Sequence, residues 1–407
     1  MSQPLVSFCI PTYNRSRYLD SLLGGLVSQL ADFPHPFEVF VSDNGSEDDT
    51  ESVCARYMDA LPLRYKRHPQ NRGSAANYTY LMDQAHGEYL VYIGDDDCIL
   101  GDRVAEIVDT LQANPQIGIA YAPWKLLDLV ADKDLGQFYQ QDRDVLIPRG
   151  QQHQLLDTML RYGIFPEIYI CRRQLIRDVM PAVPEQAFYA FVHASEFVHQ
   201  TDVLFLKDPY YVSITNYFPD HKRTQTGLVE TETAWDRYRG GLEFVLGRAS
   251  GQISAMERVG LSLRIQDMIA QRIGVAVRLR MGNRRDAVET YYLAYRLKAM
   301  GAEHLSPAPL STLRIYAARA FFLTDAELNR DVDELVFVGQ FEAEFQRMMA
   351  QETDRPTRFV APGEPMPELS PRSLVLLRGD PDTLSELPLN SGARLVHEAA
   401  LVAKFPA

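Results

Sequence analysis

Three consecutive carboxylates, Asp95, Asp96 and Asp97, follow the apolar run YLVYIG and give the clearest chemical signal in this sequence. Adjacent carboxylates repel one another unless a cation or several N–H groups share the site. A hard divalent ion such as Mg²⁺ takes one or two carboxylates and completes its shell with phosphate and water oxygens. The triplet therefore predicts a metal–diphosphate site. A solvated acidic turn is the alternative that the triplet alone leaves open.

Three further segments place polar residues where predicted strands end: PTYNR (11–15), VSDNGSEDDT (41–50) and NRGSAANYTYLM (71–82). The first two offer hydrogen-bonding side chains beside turn residues such as Asn44-Gly45. In the third, Gly73 permits close backbone approach and Ser74 begins a predicted helix, whose N-terminus favours anions. Each segment is also compatible with an ordinary capping turn.

The elements that must position these residues alternate in type over residues 5–124. The predicted strands are 5–10, 37–43, 63–68, 88–97 and 117–123, and the predicted helices are 15–31, 48–58, 74–85 and 103–113. Such alternation is typical of a parallel, doubly wound α/β sheet. Because ligands bind beyond the carboxyl ends of such strands, the polar segments are expected to meet at one edge.

The rest of the chain changes character twice. A polar stretch, 128–154, predicts a loop or an inserted ribbon, and 202–218 predicts one or two strands. Residues 229–323 have helical spacing of apolar residues, and strand–helix alternation returns from about 332. The predicted domains are 1–228 (α/β), 229–330 (helical) and 331–407 (a small α/β unit).

Composition excludes several classes of protein. Hydrophobic residues make up 46% of the 407 positions and charged residues 23%, which is an ordinary globular mixture. The net charge of −13 disfavours general nucleic-acid binding. The four cysteines form no CxxC pair, which fits a reducing compartment. No signal peptide is recognisable and no apolar run approaches the ~18 residues of a spanning helix. We therefore expect a cytoplasmic protein.

The order and spacing of PTYNR, SDNGSEDDT, NRGSAAN and GEYLVYIGDDD resemble the family 2 glycosyltransferases of the GT-A fold. The resemblance covers residues 5–125 and fades through about 225. It implies a Rossmann-like, mostly parallel sheet and an inverting sugar transfer from a nucleoside-diphosphate sugar, with Mn²⁺ or Mg²⁺ as cofactor. The triplet 95–97 takes the place of the DxD motif of that family.

The resemblance also implies roles for the first three loops. Pro11, Thr12 and Asn14 would border the nucleotide, and Asp43 would contact its base. Arg72, with the turn around it, would border the sugar nucleotide.

Further residues are assigned around the acidic triplet in the same way. Asn77, one turn into the third helix, joins the donor-binding set. Asp95 would lie near the ribose, Asp96 would contact the donor, and Asp97 would coordinate the metal. His221, in the loop PDHKRTQTG (219–227), would be a second metal ligand.

Inverting members of the family use a carboxylate as general base on the acceptor hydroxyl. The segment FVHASEFVHQTD (191–202) offers Glu196 first and Asp202 second, although the usual Glu-Asp pair of the family is absent. The neighbouring His193 and His199 are too few for a zinc site.

The expected acceptor is a glycan, a lipid-linked sugar or a protein, in a setting such as bacterial polysaccharide biosynthesis. Residues 264–319 hold ten Lys or Arg against four Asp or Glu, so these basic helices are candidates for peripheral membrane contact or for a homodimer. Two alternatives stay open: a sugar-nucleotide or glycan-binding module without catalysis, and a sugar-phosphate nucleotidyltransferase. The nucleotidyltransferase is disfavoured because its Gly-rich start is missing.

Overall fold

The computed structural model describes residues 3–179, 187–220, 226–283, 286–379 and 392–407, which form two compact units. Unit 1 comprises Met1–Glu230 and Ala234–Ile269, and unit 2 comprises Thr231–Thr233 and Ala270–Ala407. The sequence predicts a separate helical domain, whereas these units divide inside one continuous helix, Ala255–Gly282. The helices expected to stand alone therefore belong partly to each unit.

The main sheet of unit 1 contains β1 (Val6–Thr12), β2 (Phe37–Asp43), β3 (Leu63–Arg67), β4 (Tyr89–Tyr92), β6 (Ile117–Tyr121), β9 (Val145–Ile147), β10 (Tyr169–Arg172) and β11 (Asp202–Phe205). Their spatial order is β3-β2-β1-β4-β10-β6-β11-β9. Four of the seven neighbouring pairs are parallel, whereas β10 runs antiparallel to both β4 and β6, and β9 runs antiparallel to β11. The predicted α/β class with a mostly parallel sheet is confirmed.

A second sheet has the order β5-β12-β7-β8 and contains β5 (Cys98–Ile99), β7 (Trp124–Asp128), β8 (Lys133–Gln137) and β12 (Tyr211–Asn216). The polar stretch 128–154 thus includes an inserted ribbon, as one of its two interpretations predicts. The segment 202–218 forms two strands, β11 and β12, which belong to different sheets. This division brings β12 next to the residues that follow β4.

The helices of unit 1 are α1 (Ser16–Gln29), α2 (Thr50–Tyr57), α3 (Ser74–Gln84), α4 (Gly101–Ala113), α5 (Gln152–Tyr162), α6 (Arg173–Val179), α7 (Tyr189–Gln200), most of α8 (Thr226–Thr233), α9 (Trp235–Arg248) and the first half of α10 (Ala255–Gly282). In α1, buried leucines recur at helical spacing, so one apolar stripe faces the sheet.

Pro11 does not end the first strand, contrary to the sequence prediction. The strand β1 continues to Thr12, which pairs with Asp43 of β2. The pairing of β1 with β4 stops at Cys9, so β1 has a single neighbour at Pro11. Proline is tolerated there because that edge needs no ladder hydrogen bond.

Unit 2 contains α11 (Ala287–Ala299), a 3₁₀ turn (Glu303–Leu305), α12 (Leu310–Thr324), β13 (Glu334–Val338), α13 (Ala343–Glu352), β14 (Thr357–Val360), β15 (Ser373–Leu377), β16 (Arg394–His397) and α14 (Glu398–Ala403). Its sheet has the order β14-β13-β15-β16 and every pair is parallel. The small C-terminal α/β unit therefore has the expected layout. The helix predicted near 382–387 lies outside the described residues.

Several cations of the basic segment 264–319 are already paired within their own unit. Arg264 binds Asp157, Arg280 binds Glu289, and Arg319 binds Glu398. Arg314 donates to the backbone carbonyl groups of Val402 and Phe405. The segment is thus less of a free basic surface than its composition indicates, and membrane contact stays a prediction. Across the described ranges, no helix combines the length and hydrophobicity that crossing a bilayer requires.

Candidate active site

The carboxyl ends of β1, β2 and β4 meet at one edge of the main sheet. Thr12 at the end of β1 lies opposite Asp43 at the end of β2. Cys9 lies opposite Tyr92, the last residue of β4, and the backbone N–H of Ile93 donates to the Cys9 carbonyl group at 3.0 Å. The triplet 95–97 therefore follows at the same edge as Thr12 and Asp43, as the sequence predicts.

Residues of the first loop hold Asp95 and Asp96 directly. The Thr12 hydroxyl donates to Asp95 Oδ2 at 2.8 Å. The Arg15 guanidinium donates to Asp95 Oδ1 at 3.1 Å and to Asp96 Oδ2 at 2.8 Å. Arg15 therefore supplies a cation between two of the three carboxylates, which offsets part of their repulsion. Sequence reasoning did not assign Arg15 to the site, although it is the last residue of PTYNR.

Asp97 faces the second sheet. Its Oδ2 accepts from the Tyr211 hydroxyl at 2.7 Å, and its Oδ1 accepts from the Ile214 backbone N–H at 2.9 Å. Burial raises the pKa of Asp97 to about 6, and the charge of Asp95 adds to this, while the two hydrogen bonds oppose it. The carboxylate form of Asp97 is thus destabilised, which a bound cation would reverse.

The first two loops are locked together by side chain–backbone hydrogen bonds. Asn14, in the left-handed region at φ 52°, donates its backbone N–H to the Ser46 hydroxyl at 2.8 Å and accepts from the Glu47 N–H at 2.8 Å. Asp48 accepts from the Ser16 N–H at 2.9 Å, at the start of α1. These bonds fix the loop geometry before any ligand binds.

Asp43 is fully buried beneath the second loop. It accepts from the Ser46 N–H at 2.8 Å and from the Tyr65 hydroxyl at 2.5 Å. In this geometry its carboxylate stabilises the turn and offers no exposed surface to a nucleotide base. The predicted contact with the base requires the turn to open, and it stays a prediction.

The third loop is tied to the second through Asn44. The side-chain amide of Asn44 donates to Asn71 Oδ1 at 2.9 Å and to the Gly73 carbonyl group at 3.2 Å, and its oxygen accepts from the Arg72 N–H at 2.9 Å. Gly73 has φ 87°, a conformation that glycine adopts freely. Within the described ranges the exposed Arg72 guanidinium forms no ion pair, so it is available to an anionic ligand.

Asn77 is buried rather than presented to the loop edge. It accepts from the Ser42 hydroxyl at 2.6 Å and donates to the Ser42 carbonyl group at 2.9 Å, which fastens α3 to β2. The structure gives Asn77 a positioning contact. Asn77 would therefore act on the donor through the position of α3 rather than by direct contact, and its place in the donor-binding set stays a prediction.

Neither predicted base lies at this edge. Asp202 begins β11 opposite Ile117, the first residue of β6, so it lies at the amino edge, where it accepts from the Arg149 N–H at 2.7 Å. Glu196 is in the second half of α7, the helix that ends just before Asp202, and its carboxylate is 3.5 Å from the Arg248 guanidinium. The structure contradicts Asp202 as the base and pairs Glu196 elsewhere.

A carboxylate that sequence reasoning missed, Glu167, lies at the active edge. The register of β10 with β4 pairs Ile170 with Val91 and Arg172 with Tyr89, and Glu167 lies in the turn just before β10, at the edge where β4 ends. Glu167 is the first residue of the predicted strand EIYICRR. Because β10 is antiparallel to its neighbours, its amino end meets their carboxyl ends, and no sequence signal gives that direction.

His221, the second predicted metal ligand, lies outside the described residues. The chain is described up to Asp220, which binds Arg17 of α1 at 2.9 Å, two residues from Arg15. Its assignment therefore stays a prediction.

The side-chain atoms near Gly94 include carboxylate oxygens, which are the ligands that a hard divalent cation prefers. A Cβ at Gly94 would come within 3.1 Å of Asp97 Oδ2 and 3.2 Å of Asp96 Oδ1, so the glycine keeps the space between these oxygens open. Among the described residues no three His, Cys, Asp or Glu side chains converge on one metal position. This is compatible with an ion that takes two carboxylates and completes its shell from phosphate and water.

With this geometry in place, comparison with known sequences is decisive. The sequence profile described as "Glycosyl transferase family 2" matches residues 7–160, which include β1, the three loops and the acidic triplet. Residues 7–160, which are less than half of the chain, match as a glycosyl transferase family 2 domain. The resemblance carried by the four motifs is thereby confirmed.

Curated relatives match this family 2 domain over part of their length. The abequosyltransferase RfbV of Salmonella typhimurium is 35% identical over 115 residues, which is 28% of this chain and 34% of RfbV. The validoxylamine A glucosyltransferase of Streptomyces hygroscopicus subsp. limoneus is 50% identical over 62 residues, 15% of this chain and 14% of that protein. The chain thus spans a third or less of these two relatives.

Solved structures are more distant. A crystal structure of Staphylococcus aureus TarS 1–349 in complex with UDP-GlcNAc aligns with a TM-score of 0.48 at 16% identity, and it covers 76% of this chain and 91% of TarS 1–349.

Proposed function

We propose that this protein is an inverting glycosyltransferase that moves a sugar from a nucleoside-diphosphate sugar to an acceptor hydroxyl. The observation that carries the proposal is the carboxyl edge of the family 2 domain, where Thr12 and Arg15 fix Asp95 and Asp96 beside Asp97. The locked loops support it because they provide a rigid edge for the nucleotide. Arg72, exposed on the third loop, is suited to the diphosphate.

Asp96 and Asp97 are the residues that would hold Mn²⁺ or Mg²⁺, and the ion would offset the charge of the departing diphosphate. Arg15 contributes in the absence of any ion, since its guanidinium keeps Asp95 and Asp96 oriented. Thr12 fixes the rotamer of Asp95. These residues therefore bind and orient the donor.

The acceptor is proposed as a glycan, a lipid-linked sugar or a protein in bacterial surface-glycan synthesis. The name of the relative RfbV, an abequosyltransferase, supports sugar transfer, and the glucosyltransferase relative supports the same chemistry. Because the shared stretch is short, it does not carry the identity of the sugar.

A thermal-shift screen tests the proposal. The full chain is heated with UDP-glucose, UDP-N-acetylglucosamine, GDP-mannose, CDP-glucose or dTDP-glucose, each with Mn²⁺, Mg²⁺ or a chelator. A donor present at a hundred times its Kd stabilises the folded state by about 2.7 kcal/mol. We expect one nucleotide class to raise the melting temperature, more strongly with the metal than with the chelator.

The release of nucleoside diphosphate from the bound donor then separates an enzyme from a binding module. Slow release with water as acceptor supports catalysis. Binding without any turnover, with or without an acceptor glycan, favours the non-catalytic alternative, and the failure of every donor to bind contradicts the proposal.

A further inference from the structure

We propose that Glu167 is the catalytic base that takes the proton from the acceptor hydroxyl. The inference rests on the proposed function, because a base is needed only if the site transfers sugar. Its starting point is position: Glu167 lies in the turn before β10, and because β10 runs antiparallel to β4, this turn is at the edge where β4 leads into the acidic triplet.

The spacing of the strands fits this role. Neighbouring strands lie about 4.7–4.9 Å apart, and β10 is the direct neighbour of β4, so the turn that carries Glu167 is beside the chain that leaves β4. The path of the chain is held at this point, because the Ala122 N–H donates to the Ile168 carbonyl group at 3.1 Å.

Glu167 and two residues of the triplet, Asp95 and Asp97, act electrostatically on the same side chain, that of Tyr92. Burial raises the pKa of Tyr92, at the end of β4, and the charges of Asp95, Asp97 and Glu167 raise it further. Tyr92 therefore lies among carboxylates that come from two neighbouring strands. A substrate that spans these strands meets the triplet on one side and Glu167 on the other.

The first turn of α7 orients Glu167. The Tyr189 hydroxyl lies 3.4 Å from Glu167 Oε1 and donates to it. One turn further along the same helix, His193 is only 4% exposed and its Nε2 has no hydrogen-bond partner among the described residues. Tyr189 is thus a positioning residue for Glu167, and Glu167 itself is half-buried.

Other carboxylates near α7 are less well placed. Glu196 lies seven residues beyond Tyr189, which is about 10 Å along the helix axis, and it faces Arg248. Glu230 influences Tyr189, but its carboxylate is 3.7 Å from the Arg237 guanidinium. Asp202 is at the opposite edge.

The proposed step is balanced in atoms and charge. The acceptor oxygen forms a bond to the anomeric carbon while the bond from that carbon to the diphosphate oxygen breaks, and its electron pair leaves with the nucleoside diphosphate. The acceptor proton moves to the Glu167 carboxylate, which becomes a neutral carboxyl group. Glu167 then releases this proton to water.

The test compares Glu167→Gln with the wild-type full chain, using the nucleotide sugar that gives the largest shift in the donor screen. General base catalysis contributes about 10²–10⁴-fold, so we expect release of nucleoside diphosphate to fall by at least about a hundredfold. The donor Kd should change less than about twofold. Glu88→Gln is the matched control, since it removes an exposed carboxylate that pairs with Arg172 at the other end of β10, away from the site.

The pH profile adds a readout that a purely structural role would not change. The wild-type rate should decrease toward acid as Glu167 and Asp97 gain protons, and the Glu167→Gln variant, which keeps Asp97, should show a shallower acid limb. Tyr189→Phe should lower the rate less and move the limb, because the orienting hydroxyl is lost while the base remains.

The outcomes separate the two proposals. If the wild type binds and turns over the donor and Glu167→Gln does so at the same rate, the inference about Glu167 is overturned while the proposed function stands. The same holds if Glu167→Gln binds the donor more weakly but has an unchanged kcat. Loss of turnover in Glu230→Gln rather than in Glu167→Gln also overturns it. A wild-type chain that neither binds nor cleaves any donor overturns the proposed function itself.

Discussion

In both units, charged residues follow the carboxyl ends of strands. In unit 1 these residues are mostly carboxylates around one guanidinium group, whereas in unit 2 two guanidinium groups surround one carboxylate. In unit 1 the carboxyl edge carries three successive carboxylates, and Arg15 bridges two of them. In the described part of unit 2, Glu398 follows β16 at the carboxyl edge and lies between two guanidinium groups. Arg378 binds it through two hydrogen bonds of 2.6 and 2.7 Å, and Arg319 approaches to 3.4 Å.

The pKa values of the two edges move in opposite directions. At Asp97 burial and the charge of Asp95 raise the pKa to about 6. At Glu398 burial alone would raise the pKa, but the hydrogen bonds and charges of Arg378 and Arg319 lower it. The guanidinium of Arg378 is also stacked 3.9 Å from the centre of the Phe341 ring.

The comparison shows why a parallel edge is not by itself a binding site. In unit 2 the polar groups satisfy one another, and the cavity of about 250 Å³ beside Arg378 and His397 has its main cation already paired. In unit 1, burial and the charge of Asp95 disfavour the ionised form of Asp97. A bound cation would therefore stabilise the ionised carboxylate of Asp97 in unit 1. In unit 2, Glu398 already has the guanidinium group of Arg378 as its cationic partner.

The largest expected effect is at Asp97. Asp97→Asn should lower turnover of the donor by about 10²–10³-fold, the range seen when one charge-stabilising group is removed from an active site. Metal-dependent donor binding should be lost as well, measured by thermal shift with and without chelator. Asp102→Asn, an exposed carboxylate at the start of α4, is the control and should retain activity. Full activity of Asp97→Asn with the metal chelated would contradict the assignment of the triplet.

The second effect separates stability from binding. Glu398→Gln leaves two guanidinium groups without their carboxylate, and because these groups are only partly buried, the loss should be about 1.5–3 kcal/mol, the range for hydrogen bonds to charged groups. Urea unfolding should show this loss, while the donor Kd stays unchanged. Glu303→Gln, at an exposed position of unit 2, should change neither quantity. Altered donor binding in Glu398→Gln would break the distinction between the two edges.

The smallest expected effect is on the pH dependence of the free energy of unfolding, to which Asp97 and Glu398 contribute with opposite signs. Because the folded-state pKa of Asp97 is raised from 3.8 to about 6, the wild type loses stability as the pH rises through this interval. Asp97→Asn should therefore gain stability relative to the wild type as the pH rises from about 3.8 to about 6, by about 1 kcal/mol after allowance for partial solvent screening.

The pKa of Glu398 is lowered, so its contribution is complete above its unfolded value of 4.5 and is lost as the pH falls through the folded value. The deficit of Glu398→Gln should accordingly shrink only at acid pH. Urea unfolding at a series of pH values measures both variants, and parallel profiles for the two would contradict the comparison.

The sequence predicts the part of the site that consists of residues directly after parallel strands. Thr12, Asp43 and Asp95 meet because each follows a strand whose carboxyl end lies at the same edge. The same rule argues against Asp202, because it is the first residue of its strand and therefore lies at the amino edge of the sheet.

Glu167 could not be found in this way, because its position depends on the reversal of β10 between β4 and β6. Strand direction within a sheet is a property of tertiary order, and local residue patterns do not encode it. The division between the units is hidden for a similar reason, since the helical spacing of α10 continues without a break across residues 269 and 270.

This continuous helix limits how the protein can be cut. The 28 residues of α10 give a helix about 42 Å long at 1.5 Å per residue, with no linker at the division. A fragment that starts at Ala270 would begin in mid-helix and leave its first four backbone N–H groups without intrahelical acceptors. It would also remove Ile269, which is 4% exposed, from the neighbouring turn of the same helix. Expression of either unit alone therefore calls for a boundary that retains all of Ala255–Gly282.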